Sequence, residues 1–172
     1  MATNWHRLFG LLLTDFFVDT SFIVELEKDL SLKRQLLDVI ILRRGEAPLN
    51  KRLPDGFDDL AAHNLVTFKS HREALDDWAL KELTGHYVNY RKQLTAADKP
   101  LLPEDAFRLY AVCSRFPHNL EMTVALRPIQ PGVYECRRGS DAIRIIVAGQ
   151  LPREEHNAML HLFSGATADV AY

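Results

Sequence analysis

Cysteine is scarce: the 172 residues hold two, Cys113 and Cys136. Two cysteines exclude a disulfide framework, and their spacing is not that of a metal clasp. They read as buried thiols in a reducing compartment. Long apolar runs are missing as well. Leu11-Leu12-Leu13 is followed closely by Asp15 and Asp19. That run is too short to cross a bilayer and lacks a signal-peptide cleavage pattern, so a cytoplasmic protein is expected. Neither sign of charge is in excess. The net charge of −2 carries no bulk signal for nucleic acid, although it leaves room for a local basic patch. There is no internal repeat and no low-complexity tract. What remains is ordinary: 47% hydrophobic and 26% charged residues suit one globular domain with a substantial core.

Two short stretches organise the chain. One is Gln35-Leu36-Leu37-Asp38-Val39-Ile40-Ile41-Leu42, the other Asn64-Leu65-Val66-Thr67-Phe68-Lys69-Ser70. Both are apolar or β-branched runs bounded by polar and turn residues, the pattern of strands. Each carries a charge where a buried strand should have none: Asp38 in the first, Lys69 at the end of the second. A charge in an apolar strand must be paired, must bind a metal or must do chemistry.

Around them the chain is legible in outline. Asn4 is a candidate N-cap for a helix over 4–17, where Trp5, Leu8, Phe9, Leu12, Leu13, Phe16 and Phe17 recur at three- and four-residue spacing. Residues 22–28 alternate, with Phe22, Val24 and Leu26 opposite Ile23, Glu25 and Glu27, which predicts a strand; a helix through 25–34 is the competing pattern. Pro48, Pro54 and Gly56 with Asp55, Asp58 and Asp59 make 45–62 a long loop, and loops of that length are often functional. A helix is expected over 74–93, with Asp76 and Asp77 in its first turn and Arg91 and Lys92 in its last. Further strands are expected at 107–113 and in a hairpin over 132–149. A short helix should follow from about Pro152 to Leu162, and the end from Gly165 to Tyr172 should fray. The order is helix, three strands, helix, strand, then a hairpin. That mixture predicts an α/β or α+β domain with a mixed sheet.

Asp38 shares a strand face with Leu36, Ile40 and Leu42, and Lys69 shares one with Leu65 and Thr67. If the two strands pair antiparallel through the 45–62 loop, acid and lysine project to one place. A carboxylate there can hold Mg²⁺, and a lysine can position water and offset negative charge. The same residues also fit an ion pair that only orients the strands, or a strand-end lysine reaching into solvent. His71 and Arg72 follow Lys69 and could meet phosphate. Tyr87, Tyr90, Arg91 and Lys92 fit either a nucleic-acid groove or a helix end with core tyrosines. Arg137 and Arg138 belong to a hairpin tip, and His156 and His161 lack the spacing of a helical zinc pair.

The αβββαβ order, with Asp on the second strand and a hydrophobic-hydrophobic-x-hydrophobic-Lys third strand, resembles the PD-(D/E)xK nuclease superfamily. Leu36-Leu37-Asp38-Val39-Ile40-Ile41 is similar to its metal-binding strand, and Leu65-Val66-Thr67-Phe68-Lys69-Ser70 to its Glu-x-Lys strand. The likeness is greatest to the transposase-associated, Rpn-like recombination-promoting nucleases. It spans about residues 5–115, with a fainter likeness from Leu151-Pro152 to Ser164. It implies a restriction-endonuclease-like core over about 5–115 and a C-terminal appendage over about 130–164. It also implies Mg²⁺- or Mn²⁺-dependent cleavage of DNA, and is compatible with a homodimer. Asp38 would hold the metal and Lys69 would activate the water. One departure stands out: Thr67 occupies the position of the family's acid, and a hydroxyl is a neutral, weak Mg²⁺ ligand. The acid has then moved, with Glu82 on the following helix as first candidate, Glu25 or Glu27 as others, and Asp55 as a displaced aspartate. Otherwise the site is inactive and the domain only binds DNA or protein.

Overall fold

Asn4 opens the first helix as its chemistry predicts. Its side chain accepts the Arg7 N–H at 3.1 Å, and α1 runs Trp5–Phe16 in the computed structural model, which describes residues 4–29, 36–96 and 99–165. Three strands follow, β1 (Phe22–Asp29), β2 (Leu36–Arg43) and β3 (His63–Lys69). The alternation over 22–28 therefore prevails as a strand, and the competing helix does not form over Glu25–Asp29. Helix α2 (Asp77–Gln93) is capped by the Asp76 side chain and leads into β4 (Phe107–Cys113). A four-residue α3 (His118–Glu121), β5 (Arg127–Gln130), β6 (Val133–Arg138) and β7 (Asp141–Val147) complete the sheet. The expected final helix is reduced to α4 (Ala158–His161) after one 3₁₀ turn. The expectation of fraying at the end falls on 166–172, outside the described residues.

All seven strands form one mixed sheet in the order β1-β2-β3-β4-β7-β6-β5. β2 pairs antiparallel with β3, from Val39 opposite Val66 to Leu42 opposite His63. The two charged strands are thus neighbours. β3, β4 and β7 are parallel to one another, with α2 as the crossover between β3 and β4. The C-terminal hairpin is continuous with this sheet, because β7 lies directly against β4.

The strand pattern loads both faces. Ile40, Leu65, Leu109 and Ile145 pack under Leu80, Leu83, Tyr87 and Tyr90 of α2. Val39, Ile41, Val66 and Phe68 pack under Phe9 and Leu13 of α1. Each such fully buried side chain contributes about 1.5–3 kcal/mol, so continuous apolar strands demand a helix on either side. Tyr87 and Tyr90 are spent in this core, and Arg91 lies over the Tyr87 and Phe107 rings.

The 45–62 loop is irregular as expected, yet it is fixed to the sheet. Fully buried Asn64 accepts the Ala61 N–H and donates to Ile41 and Ala61 carbonyls. The Tyr110 hydroxyl donates to Asp59 O, and Phe57 is buried 5.0 Å from the Tyr110 ring. Gly56, at φ +93°, makes the turn within it.

Candidate functional site

β2 and β3 end their pairing at Val39 and Val66. One step further, Asp38 stands opposite Thr67 and takes over the pairing with its side chain. Asp38 Oδ2 accepts the Phe68 N–H at 2.7 Å and the Thr67 hydroxyl at 3.0 Å. Asp38 Oδ1 accepts His6 Nδ1–H of α1 at 2.9 Å. The second ring nitrogen of His6 meets Glu73 Oε2 at 3.0 Å. Both partners are acceptors, so both nitrogens of His6 must donate, and the ring is an imidazolium between two carboxylates.

The protonation states follow from this geometry. The Asp38 hydrogen bond drives the His6 pKa up against burial, with help from Glu73, to about 9. Burial pushes Asp38 the other way, toward the neutral acid, but the hydrogen bonds from His6, Phe68 N–H and Thr67 outweigh it and hold it below the usual carboxylate range. Glu73 behaves alike: burial raises it, and His6, the Ser70 N–H and the Lys69 charge prevail in lowering it. The Ser70 hydroxyl and N–H both donate to Glu73 Oε2, at 3.2 and 3.4 Å, across the turn that the Glu73 N–H to Ser70 O bond closes.

Lys69 lies on the same strand face as Thr67, half-buried at the end of β3. Its ammonium acts electrostatically on Glu73 and on His86 of α2. Among the described residues it has no hydrogen-bond or ion-pair partner, so the alternative of a direct Asp38–Lys69 ion pair is not what the fold makes. His86 sits across from this face. Its Nδ1 is buried without a partner, burial lowers its pKa, and the charges of Glu82, Asp38 and Lys69 all reach it.

The fold therefore brings Asp38 against Thr67, with Lys69 two residues further along β3. Glu82 is exposed on α2 and acts on His86 rather than touching Asp38. Glu25 lies on the α2 side of β1, where its charge reaches Tyr90; Glu27 is exposed. Asp55 is held by the Asn157 side chain at 2.8 Å and by His156 at 2.9 Å, which makes it a fastener of the long loop. His161 is bonded to Pro152 O, and Arg138 pairs with Asp77. Among the described residues, no three of His, Cys, Asp and Glu converge on a single metal position.

Three site residues escaped the sequence: His6, Glu73 and His86. Each left a signal. His6 lies on the apolar stripe of α1 with Phe9 and Leu13, and His86 on that of α2 with Leu83 and Tyr90. Glu73 ends Ser70-His71-Arg72-Glu73, the polar turn directly after β3.

No protein family, no curated protein and no solved structure matches the chain. Among the described residues, no helix is long and apolar enough to cross a membrane.

Proposed function

We propose that the chain is a metal-dependent nuclease acting on DNA phosphodiester bonds at the Asp38–Lys69 site, on a restriction-endonuclease-like core. The observation that carries this reading is an ionised carboxylate bonded to Thr67, with the Lys69 ammonium, without a hydrogen-bond or ion-pair partner among the described residues, two positions further along the same strand. The donor chemistry fits Mg²⁺ or Mn²⁺ in a restricted sense. Asp38 is one hard oxygen ligand group, and such ions are commonly held by one or two carboxylates plus the substrate's own phosphate oxygens. Asp38 would hold the ion, and the bound DNA would complete its shell. The ion would polarise the phosphate and acidify a bound water. The chain's own residues do the rest. Thr67 and the Phe68 N–H aim the carboxylate and keep it ionised. Lys69 places positive charge beside the phosphate, where negative charge develops during displacement. Glu73 and His6 brace Asp38 from the α1 side.

A second reading has its own support: an inactive nuclease-like fold that only binds DNA or protein. Thr67 replaces an acid and donates to Asp38, so the one carboxylate is already engaged in three hydrogen bonds. Cleavage of plasmid and single-stranded DNA separates the two. Wild type, Asp38→Asn and Lys69→Ala are compared with Mg²⁺, Mn²⁺ and EDTA, alongside binding of the same DNA in EDTA. Metal-dependent cutting that falls about a hundredfold or more in both variants is the expected result. DNA binding without cutting by wild type in either metal would leave the binding module standing.

A further inference from the structure

Beside the Asp38 site runs a groove of about 340 Å³. It opens between the β3–α2 and β4–α3 connections, and Glu73, Leu75, Arg115, Phe116, His118 and Asn119 line it. Its position is telling. β3 and β4 are parallel, and both connections leave their C-terminal ends, where open α/β sheets take their ligands. Glu73 belongs to both places: it lines the groove and bonds His6 of the site.

The groove's chemistry is that of a nucleotide seat. The two connections read Lys69-Ser70-His71-Arg72 and Arg115-Phe116-Pro117-His118; Arg115 is the cation that lines the groove, with Lys69 and Arg72 on the connection that flanks it. Exposed Arg115 donates one bond, from Nη2 to His71 O at 2.5 Å, and among the described residues it forms no ion pair. The rest of its guanidinium fork is free to grip a phosphate. The one acid in the groove, Glu73, is engaged by His6 and Ser70. His118 is exposed and stands edge-on to Phe116, with centroids 4.9 Å apart at 65°. Phe116 is fixed in turn against Tyr134 at 5.2 Å, so the His118 ring offers a held face for a base. The volume lies at the lower end for small-ligand pockets and suits one nucleotide, not a duplex.

We propose that this groove seats one nucleotide of a single DNA strand next to the Asp38–Lys69 site, with Arg115 on its phosphate and the His118 ring on its base. The proposal rests on the phosphodiester reading of that site and extends it: the substrate is a strand whose neighbouring nucleotide is held outside the reacting bond.

The test is binding of a labelled single-stranded DNA oligonucleotide to the full chain, followed by fluorescence anisotropy in EDTA across a salt series. Arg115→Ala should weaken binding about tenfold or more and reduce the salt dependence by about one phosphate contact. Arg115→Lys should regain part of the affinity and all of the salt dependence, because the charge remains but the fork is lost. In mildly alkaline buffer, His118→Ala should weaken binding about fivefold or more with an unchanged salt slope. Arg127→Ala, on β5 at the far edge of the sheet, serves as control and should bind as wild type does. Thermal unfolding of each variant establishes that it is folded. If Arg115→Ala and His118→Ala both bind like wild type while Lys69→Ala abolishes cutting, the groove assignment fails and the site reading survives. If wild type binds no single strand yet cuts plasmid with Mg²⁺ or Mn²⁺, the groove assignment again fails and the site reading survives; if it neither binds a strand nor cuts either DNA, both fall.

Discussion

At the scale of single residues, the unusual feature is a histidine held between two acids. His6 is protonated up to about pH 9 in the folded chain, against an ordinary value of 6.5. Between those values folding takes up a proton, so stability falls as pH rises through this window. The stabilisation from the Asp38–His6–Glu73 chain is fully present below 6.5 and gone above about 9. His6→Gln should remove this slope. Urea midpoints of wild type and variant, measured from mildly acidic to alkaline buffer, should differ most at the acidic end and converge as the pH passes 9. A difference that stays constant across that range would mean His6 is not the imidazolium described here. On the acid side the signs reverse. Asp38 and Glu73 are both held below their ordinary values, so their contribution persists at neutral pH and is lost as pH falls through the lowered values. The sequence made Asp38 and Lys69 conspicuous because a charge interrupts an apolar strand. His6 and His86 interrupt apolar helix stripes in the same way, but a helix stripe tolerates a half-polar ring at its border, so the interruption is less audible. The link from Glu73 to His6 spans 67 residues of sequence, and no local pattern announces a contact of that range.

At the scale of elements, legibility followed burial. β2, β3 and β4 are apolar on both faces and were readable as strands, as were α1 and α2 from stripe and caps. β5 was not: Arg127-Pro128-Ile129-Gln130 is exposed at every position, so nothing in its composition records that it pairs with β6. α3 has four residues, too few to show a period. The final helix is short: Glu155–Asn157 wind as a 3₁₀ turn, with the His156 and Asn157 side chains on Asp55, and Ala158–His161 alone is α-helical there. The long loop was legible as a loop, but its rigidity was not. Gly56 tests that rigidity. Its φ is +93°, and a Cβ there would come within 2.6 Å of Ile146 Cγ1 on β7. Gly56→Ala should cost about 2–4 kcal/mol, from the left-handed backbone together with overpacking, read as a lowered denaturant midpoint. A cost under about half a kcal/mol would mean the loop lifts off the sheet freely. That freedom would contradict the packing of Phe57 on Tyr110.

At the scale of the whole molecule, the two cysteines report whether the hairpin is an appendage or part of one cooperative unit. Cys113 is at the end of β4, the central strand, and Cys136 is on β6, one strand from the far edge. Both are buried, and burial pushes their thiols up to about 12 and about 11. A buried neutral thiol does not attack a disulfide reagent, so reaction requires the chain to open around it. If β5, β6 and β7 were a separable attachment, they would open alone, and Cys136 would react long before Cys113. The register argues against this. β7 aligns with β4 from Leu109 opposite Ile143 to Cys113 opposite Val147, and Ile143, Ile145 and Val147 share their core with Leu80 and Leu83 of α2. Peeling the hairpin away would expose that core, at a cost close to that of global unfolding. Thiol labelling of Cys113→Ala and Cys136→Ala, each carrying one cysteine, should therefore proceed at similar rates. Both should be slowed by about ten-thousandfold or more relative to the unfolded chain, and both should respond to urea with the same slope. A Cys136 that labels faster and with a smaller urea slope would divide the molecule at the β4–β7 boundary. The site at the ends of β3 and β4 would then belong to the N-terminal part alone.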